Sequence, residues 1–329
     1  MCSLFGIIDY KEALSQKWRN KAITVLSRES QIRGTDATGI AYNFNHQMRI
    51  FKRALPARKM QFRIPEGVPM IMGHTRMTTQ GSAKQNYNNH PFPGHCRNTS
   101  FALAHNGVLY NDKLLRNQYH LPKTAIETDS YAAVQLLEQN NTLDLASLQQ
   151  AAERVEGSFT FTVLDSNQTL SFIKGTSPLV ISHFEQFGFY LYTSTEEIMT
   201  RVLHRLGISN SPHDTIKITC GDILQINKNG DCVWGKFNTE HLYQTDRFSY
   251  FSYWDFPYGL EYETTGRDNT PLDILLSSAS AMGISPDDIA LLLDCGYDQS
   301  DIEELLYDPM MMRECIAELK ESFCSGWYC

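Results

Sequence analysis

The chain has no excess of positive charge and no long apolar run, and each absence excludes a class of protein. Aspartate and glutamate number 37 against 29 lysines and arginines, which gives a net charge of −8 over 329 residues. Nucleic-acid binding depends on clustered basic charge, and anionic membranes also attract basic segments. No apolar run approaches the ~20 residues that a membrane-spanning helix needs. We therefore expect neither a nucleic-acid nor a membrane partner.

The sequence also lacks a cysteine framework. The eight cysteines are scattered, and none forms a CxxC pair, so a structural zinc site is not expected. The N-terminal residues have neither a basic lead nor a small-residue cleavage site of the secretory type. We found no glycine-rich phosphate loop and no metal-ligand cluster after residue 238. These features predict a reduced, cytoplasmic protein without a metal or another cofactor.

Short apolar runs and helical segments fill the chain up to about residue 238. The strand-like segments begin with Leu4–Ile8 and end with Cys232–Trp234, and they occur in clusters. Pairs of predicted helices, such as Thr128–Glu138 and Leu143–Val155, separate the clusters, and Lys11–Arg33 is predicted as an amphipathic helix. This arrangement favours a layered α+β fold over strict βαβ alternation.

The composition changes near residue 239. Residues 239–270 form an aromatic-rich arm or linker, with nine aromatic residues between Tyr243 and Tyr262. Such rings either bury themselves on the preceding domain or form a partner surface. Residues 271–329 are predicted as a small helical module, in which Ser285 and Pro286 mark a helix start.

A cysteine at position 2 is the feature from which the chemistry follows. Methionine aminopeptidases generally remove Met1 when a small residue follows, so Cys2 is expected to become the mature N-terminus. The α-amino group of such a residue has a pKa of about 7.7–8.0 and can take the thiol proton near neutral pH. The residue would then be a nucleophile activated without a histidine partner.

Four further motifs follow Cys2 in a fixed order. They are Arg33-Gly34-Thr35-Asp36, Gly73-His74-Thr75-Arg76, Ala104-His105-Asn106-Gly107 and Glu127-Thr128-Asp129-Ser130. Together with Asn89-His90-Pro91 and Cys220-Gly221-Asp222, this order resembles the class II glutamine amidotransferases, which are N-terminal-nucleophile hydrolases. The resemblance covers residues 2–238 and is greatest to the glutaminase domain of glucosamine-fructose-6-phosphate aminotransferase. It implies a four-layered αββα sandwich.

The resemblance also implies a role for each matched residue. Cys2 would attack the side-chain amide of L-glutamine, release ammonia and leave a γ-glutamyl thioester that water hydrolyses. The Asn106 amide and the Gly107 backbone N–H match the family's oxyanion hole. Arg76 matches the arginine that binds the substrate carboxylate, and Asp129 matches the acid that binds its ammonium.

The remaining matched positions surround this set. Thr79 matches a threonine that hydrogen-bonds the substrate, and Arg33 matches an arginine with a supporting role near the nucleophile. Two positions depart from the aminotransferase: Met77 replaces a tryptophan of the mobile loop that closes the glutamine site, and Gln80 replaces a histidine. We place Gln80 among the substrate-binding residues. Methionine is the more flexible cap for an apolar pocket.

Several of these residues have a plainer interpretation when taken alone. The Asn106-Gly107 dipeptide favours a hairpin turn, and Asp129 fits the first turn of a helix. The histidines His74 and His105 lie inside motifs, and we expect each ring to be structural, satisfied by local hydrogen bonds.

Class II amidotransferases deliver ammonia to a second catalytic domain that is larger than the segment after residue 238. We therefore predict glutamine hydrolysis with ammonia passed to an acceptor enzyme in trans, and the sequence leaves room for a homo-oligomer. Two alternatives remain open. One is a hydrolase of another γ-glutamyl or small amide, and the other is a non-catalytic binding or inhibitory protein on the same fold.

Overall fold

A computed structural model gives the structure of the chain. It describes residues 2–97, 99–244, 275–276, 279–280, 284–294, 302, 305–306, 312–313, 315–317 and 320. The chain divides into two compact units, Met1–Asp255 and Phe256–Cys329, and each is considered by itself. Most of the predicted arm, residues 245–270, lies outside the described residues, so its role stays a prediction.

Two antiparallel sheets form the first unit. The seven-stranded sheet has the order β11 (Asp214–Ile216), β9 (Val180–Phe184), β10 (Phe189–Thr193), β1 (Ser3–Asp9), β4 (Met70–Arg76), β2 (Ala37–Phe44) and β3 (Gln47–Arg53). The six-stranded sheet has the order β13 (Cys232–Lys236), β12 (Asp222–Ile226), β8 (Leu170–Lys174), β7 (Gly157–Asp165), β6 (Thr99–Leu109) and β5 (Phe92–Cys96).

The helices of this unit lie mainly between strand clusters. They are α1 (Gln16–Ser30), α2 (Asp112–Gln118), α3 (Tyr131–Asn140), α4 (Leu145–Arg154), α5 (Glu196–Leu206) and α6 (Glu240–Gln244). The predicted helix Lys11–Arg33 was too long at both ends. The Asp9 carboxylate accepts the backbone N–H groups of Ala13 and Leu14, which keeps that segment out of the helix. Ser15 then caps α1, and its hydroxyl accepts the N–H of Trp18.

Alternating side chains of β1 show why the sheets stack. Phe5 and Ile7 face one side of the seven-stranded sheet and belong to a buried cluster with α1 and α5. Leu4 and Ile8 face the other side and pack among apolar residues of both sheets. A third cluster joins the outer face of the six-stranded sheet to α3 and α4. The predicted four-layered αββα sandwich is therefore confirmed.

The second unit is described in its helical parts. α7 (Pro286–Asp294) begins where the sequence predicted, because the Ser285 hydroxyl accepts the backbone N–H of Asp288. Nine buried apolar residues form a small core: Leu275, Ala279, Ile284, Ile289, Leu292, Ile302, Leu306, Met312 and Ile316. Across the described residues of both units, none of the helices has the length and apolar character required to cross a membrane.

Candidate active site

Strand register brings Cys2 and Arg76 together. β1 and β4 run antiparallel with Ser3 opposite Thr75, so the start of β1 lies beside the end of β4. Cys2 immediately precedes β1, and Arg76 is the last residue of β4. Two motifs that are more than seventy residues apart in the chain therefore meet at the strand ends on one side of the sandwich.

A pocket opens at these strand ends, and most of the predicted site residues line it. Its lining comprises Cys2, Arg76, Met77, Thr79, Gln80, His90, His105, Gly107, Thr128, Asp129 and Ser130. Two predicted residues are not in this lining. Asn106 is buried, and Arg33 donates from Nε to the Cys2 carbonyl oxygen over 3.0 Å.

The thiol of Cys2 is buried and needs a proton acceptor. Its Sγ lies 3.5 Å from the carbonyl oxygen of Met77, to which it donates. Burial raises the pKa of the Cys2 thiol, while the positive charge of Arg76 acts in the opposite direction. The thiolate is therefore scarce near neutral pH, and attack on a substrate requires a base close by.

Gly107 occupies a backbone conformation that only glycine readily adopts. Its φ is +137°, and a Cβ at this position would lie 2.0 Å from the carbonyl oxygen of Ser158. Asn106 and Gly107 lie inside β6, where they pair with Thr160 and Phe159 of β7. The hairpin turn that this dipeptide favours when taken alone is not formed.

Arg76 is buried and held by the protein on several sides. Its Nη1 donates to Asn89 Oδ1 over 2.7 Å, and its Nη2 donates to the carbonyl oxygens of Gln80 and Gly81 over 2.6 and 2.9 Å. A guanidinium has five N–H groups. The contacts among the described residues therefore leave two of them for a ligand.

Asp129 brings a buried carboxylate to the pocket lining. Its Oδ2 accepts the backbone N–H of Leu109 over 2.6 Å, which ties the acid to the end of β6. It does not lie in the first turn of a helix, because α3 begins two residues later at Tyr131. A cation and an anion thus line one small pocket, an arrangement that fits a zwitterionic amino acid.

The motif histidines make local hydrogen bonds of the kind that the sequence predicted. His74 donates from Nε2 to the carbonyl oxygen of His105 over 2.9 Å, and His105 Nδ1 lies 2.8 Å from the Ser130 hydroxyl. Burial lowers the pKa of His74 to about 3 and also lowers that of His105. Both rings are neutral at physiological pH, so neither adds a charge to the site.

Two residues that the sequence did not single out support the site. Asn89 is fully buried and bonds Arg76. Ser194 follows β10, accepts the backbone N–H of Leu4 over 2.8 Å and lies 3.5 Å from Asn106 Nδ2. Asn89 stands within a motif that carries the resemblance, which was a usable signal. Nothing local to Ser194 indicates its position. Within the part of the chain that the structure describes, no three candidate ligands come together to hold a metal.

Comparison with known proteins relates this chain to glutamine amidotransferases. The sequence model of a family described as "Glutamine amidotransferase domain" matches residues 74–208. A glutamine–fructose-6-phosphate aminotransferase of Staphylococcus aureus is 31% identical over 199 residues, covering 57% of this chain and 31% of the relative. The enzyme of the same name from Bacillus thuringiensis is 29% identical over 197 residues with the same coverage. The chain thus spans about a third of the length of these relatives.

Two solved structures share the fold. A glutamine phosphoribosylpyrophosphate amidotransferase from Bacillus subtilis gives a TM-score of 0.56 at 19% identity, covering 73% of this chain and 50% of that chain. A structure described as the allosteric regulatory enzyme of purine biosynthesis gives 0.52, also at 19% identity and with the same coverage. The chain thus shares its two-sheet sandwich fold with these two amidotransferase structures. The family match and these relatives support a class II glutamine amidotransferase domain in the first unit, and the relatives are enzymes.

Proposed function

We propose that this domain hydrolyses L-glutamine to glutamate and ammonia through a thioester on an N-terminal Cys2. The observation that carries the proposal is the composition of one pocket. It combines a buried thiol at the start of a central strand with Arg76, Asp129 and Gly107, whose φ of +137° suits glycine. No other residue type in the lining supplies a comparable nucleophile.

The chemistry requires removal of Met1, which frees the α-amino group of Cys2. That group takes the thiol proton, since its ordinary pKa is about 7.7–8.0. The sulfur then bonds to the amide carbon, and negative charge builds on the amide oxygen. The side-chain NH₂ of Asn106 and the N–H of Gly107 are proposed to stabilise this oxyanion. The ammonium returns its proton to the leaving nitrogen, ammonia departs, and water cleaves the thioester to glutamate.

Recognition of glutamine is proposed to rest on its two charged groups. The guanidinium of Arg76 pairs with the α-carboxylate, and the carboxylate of Asp129 pairs with the α-ammonium. Thr79 and Gln80 lie in the loop that follows Arg76, and both line the pocket. Arg33 acts indirectly through the carbonyl of Cys2. An amide that lacks either charged group should therefore be a poor substrate.

We further propose that the ammonia goes to an acceptor enzyme in trans. The support is the sequence of residues 239–329, which contains neither a phosphate loop nor a metal-ligand cluster. The described part of residues 271–329 has a small helical core, and we propose that this module docks the acceptor enzyme. Purification of the native protein with its co-eluting partners tests this part; recovery of the chain alone, with wild-type glutaminase activity, would count against it.

Trapping the intermediate tests the main proposal. Hydroxylamine attacks thioesters, so the wild-type protein with glutamine should form γ-glutamyl hydroxamate and release less glutamate. The same incubation with asparagine and with γ-glutamyl amides defines the substrate. Absence of both glutamate and hydroxamate, in a protein whose Met1 has been removed, would overturn the proposed activity and favour a binding protein on this fold.

A further inference from the structure

Lys52 is a half-buried cation on β3, which is one of the two edge strands of the seven-stranded sheet. Its ammonium donates to the backbone carbonyl oxygens of Asn89 and Pro91 over 2.5 and 3.1 Å. It also lies 5.0 Å from the centre of the Phe92 ring. Among the described residues, no carboxylate lies within ion-pair distance of it. Its hydrogen bonds are thus concentrated on one short segment, residues 89–91.

The first residue of that segment contacts the arginine of the pocket. Asn89 Oδ1 accepts from Arg76 Nη1 over 2.7 Å, while Asn89 Nδ2 donates to Ala83 O over 2.8 Å and to Asn86 Oδ1 over 3.3 Å. Asn86 in turn donates from Nδ2 to the carbonyl oxygen of Lys52 over 3.0 Å. The contacts form a closed ring, so the Asn89 amide is fixed relative to β3.

We propose that Lys52 and Asn89 are positioning residues that aim the Arg76 guanidinium at the carboxylate of the substrate. The inference deepens the proposed glutamine hydrolysis and rests on it. Lys52 fixes the backbone at Asn89, and Asn89 fixes one arm of the guanidinium. The carbonyl oxygens of Gln80 and Gly81 fix the other arm. A guanidinium that is fixed at both Nη1 and Nη2 presents its remaining N–H groups in one direction only.

The charges around Lys52 also favour an anionic group at this place. Burial, aided by the positive charge of Arg76, lowers the pKa of Lys52 to about 8. The neighbouring imidazoles of His74 and His90 have lowered pKa values because they are buried, and they supply no negative charge. Two cations close together destabilise one another. Asp36, Asp129 and Glu127 offset this repulsion in part at Arg76, and the carboxylate of a bound substrate would offset it further.

The test compares kinetic constants for two substrates. One is glutamine, and the other is γ-aminobutyramide, which has the same amide and amine but lacks the α-carboxylate. Lys52→Met should raise the KM for glutamine about tenfold and leave kcat within about twofold, whereas Lys52→Arg should recover most of the loss. Asn89→Ala should raise the same KM. The exposed Lys59 provides the control, and Lys59→Met should behave as wild type.

The truncated substrate separates positioning from general damage. If Lys52 acts through Arg76, Lys52→Met should process γ-aminobutyramide as well as the wild type does. Equal losses on both substrates, or an unchanged KM for glutamine in Lys52→Met, overturn the inference while leaving the proposed hydrolysis intact. If the wild type itself releases no glutamate, the proposed function fails and the inference fails with it.

Discussion

Replacing Gly107 by alanine should damage catalysis far more than a glycine substitution at an exposed turn. The added Cβ would lie 2.0 Å from the carbonyl oxygen of Ser158 and 2.9 Å from His105 Nε2, at a φ of +137°. Because β7 is packed on both faces, the 106–107 peptide must rotate or the strand pair must separate. Either movement displaces the N–H that we assign to the oxyanion hole.

The magnitude follows from two separate costs. An unfavourable φ costs roughly 1–3 kcal/mol and overpacking a further ~1–3 kcal/mol of stability. Loss of one oxyanion donor lowers kcat by about 10²–10³. Gly67→Ala is the matched control, because Gly67 has a φ of +73° but no atom within 4 Å of its added Cβ. It should show the conformational cost without the clash and keep its kcat.

Urea unfolding and glutaminase kinetics on both variants check the prediction. Gly107→Ala should remain folded at low temperature, with KM changed little and kcat reduced by at least about a hundredfold. A folded Gly107→Ala protein with kcat within threefold of wild type would refute the assignment of this backbone N–H to the transition state.

Three further predictions concern binding, acid stability and the C-terminal segment. Arg76→Ala should raise the KM for glutamine about 10–150-fold, since a charge-assisted hydrogen bond contributes roughly 1.5–3 kcal/mol; unchanged kinetics would mean that the substrate is not an α-amino acid. Burial lowers the pKa of His74 to about 3, so between pH 6.5 and 3 this histidine binds a proton in the unfolded chain but not in the folded chain. Urea titrations should show that His74 contributes up to about 1.4 kcal/mol per pH unit to the fall in the free energy of unfolding as pH drops from 6.5 towards 3, so the slope should be smaller by that amount in His74→Asn; an equal slope would contradict the lowered pKa. Residues 2–244 alone should fold and hydrolyse glutamine but lose a partner; the cut follows α6 because Leu242 is buried in the core of the first unit, and aggregation would show that the later residues are structural.

Strand prediction succeeded where apolar runs end at turn residues. The predicted segments Leu4–Ile8 and Cys232–Trp234 lie within β1 (Ser3–Asp9) and β13 (Cys232–Lys236). β5 was missed because Pro93 and Gly94 interrupt its apolar pattern, and an edge strand tolerates both. The short helix α2 has no side-chain cap that would have marked its start.

The sequence predicted several residues that line the pocket, but not the contacts that hold them in place. The motif order indicated Cys2, Arg76 and Asp129, and all three line the pocket. Ser194 contacts Leu4 across a separation of 190 residues, and only the pairing of β1 with β10 brings them together. No local pattern encodes such a contact, because it depends on strand order across the whole sheet.

The central claim is that Cys2, once it is the N-terminal residue, is the nucleophile. The most direct measurement is intact mass and peptide mapping of the protein before and after incubation with diazo-oxo-norleucine, a glutamine-like electrophile. We expect a mass without Met1, one adduct located on Cys2, parallel loss of glutaminase activity, and neither adduct nor activity in Cys2→Ala. Retained Met1 in an active protein, or full activity in Cys2→Ala, would contradict the account.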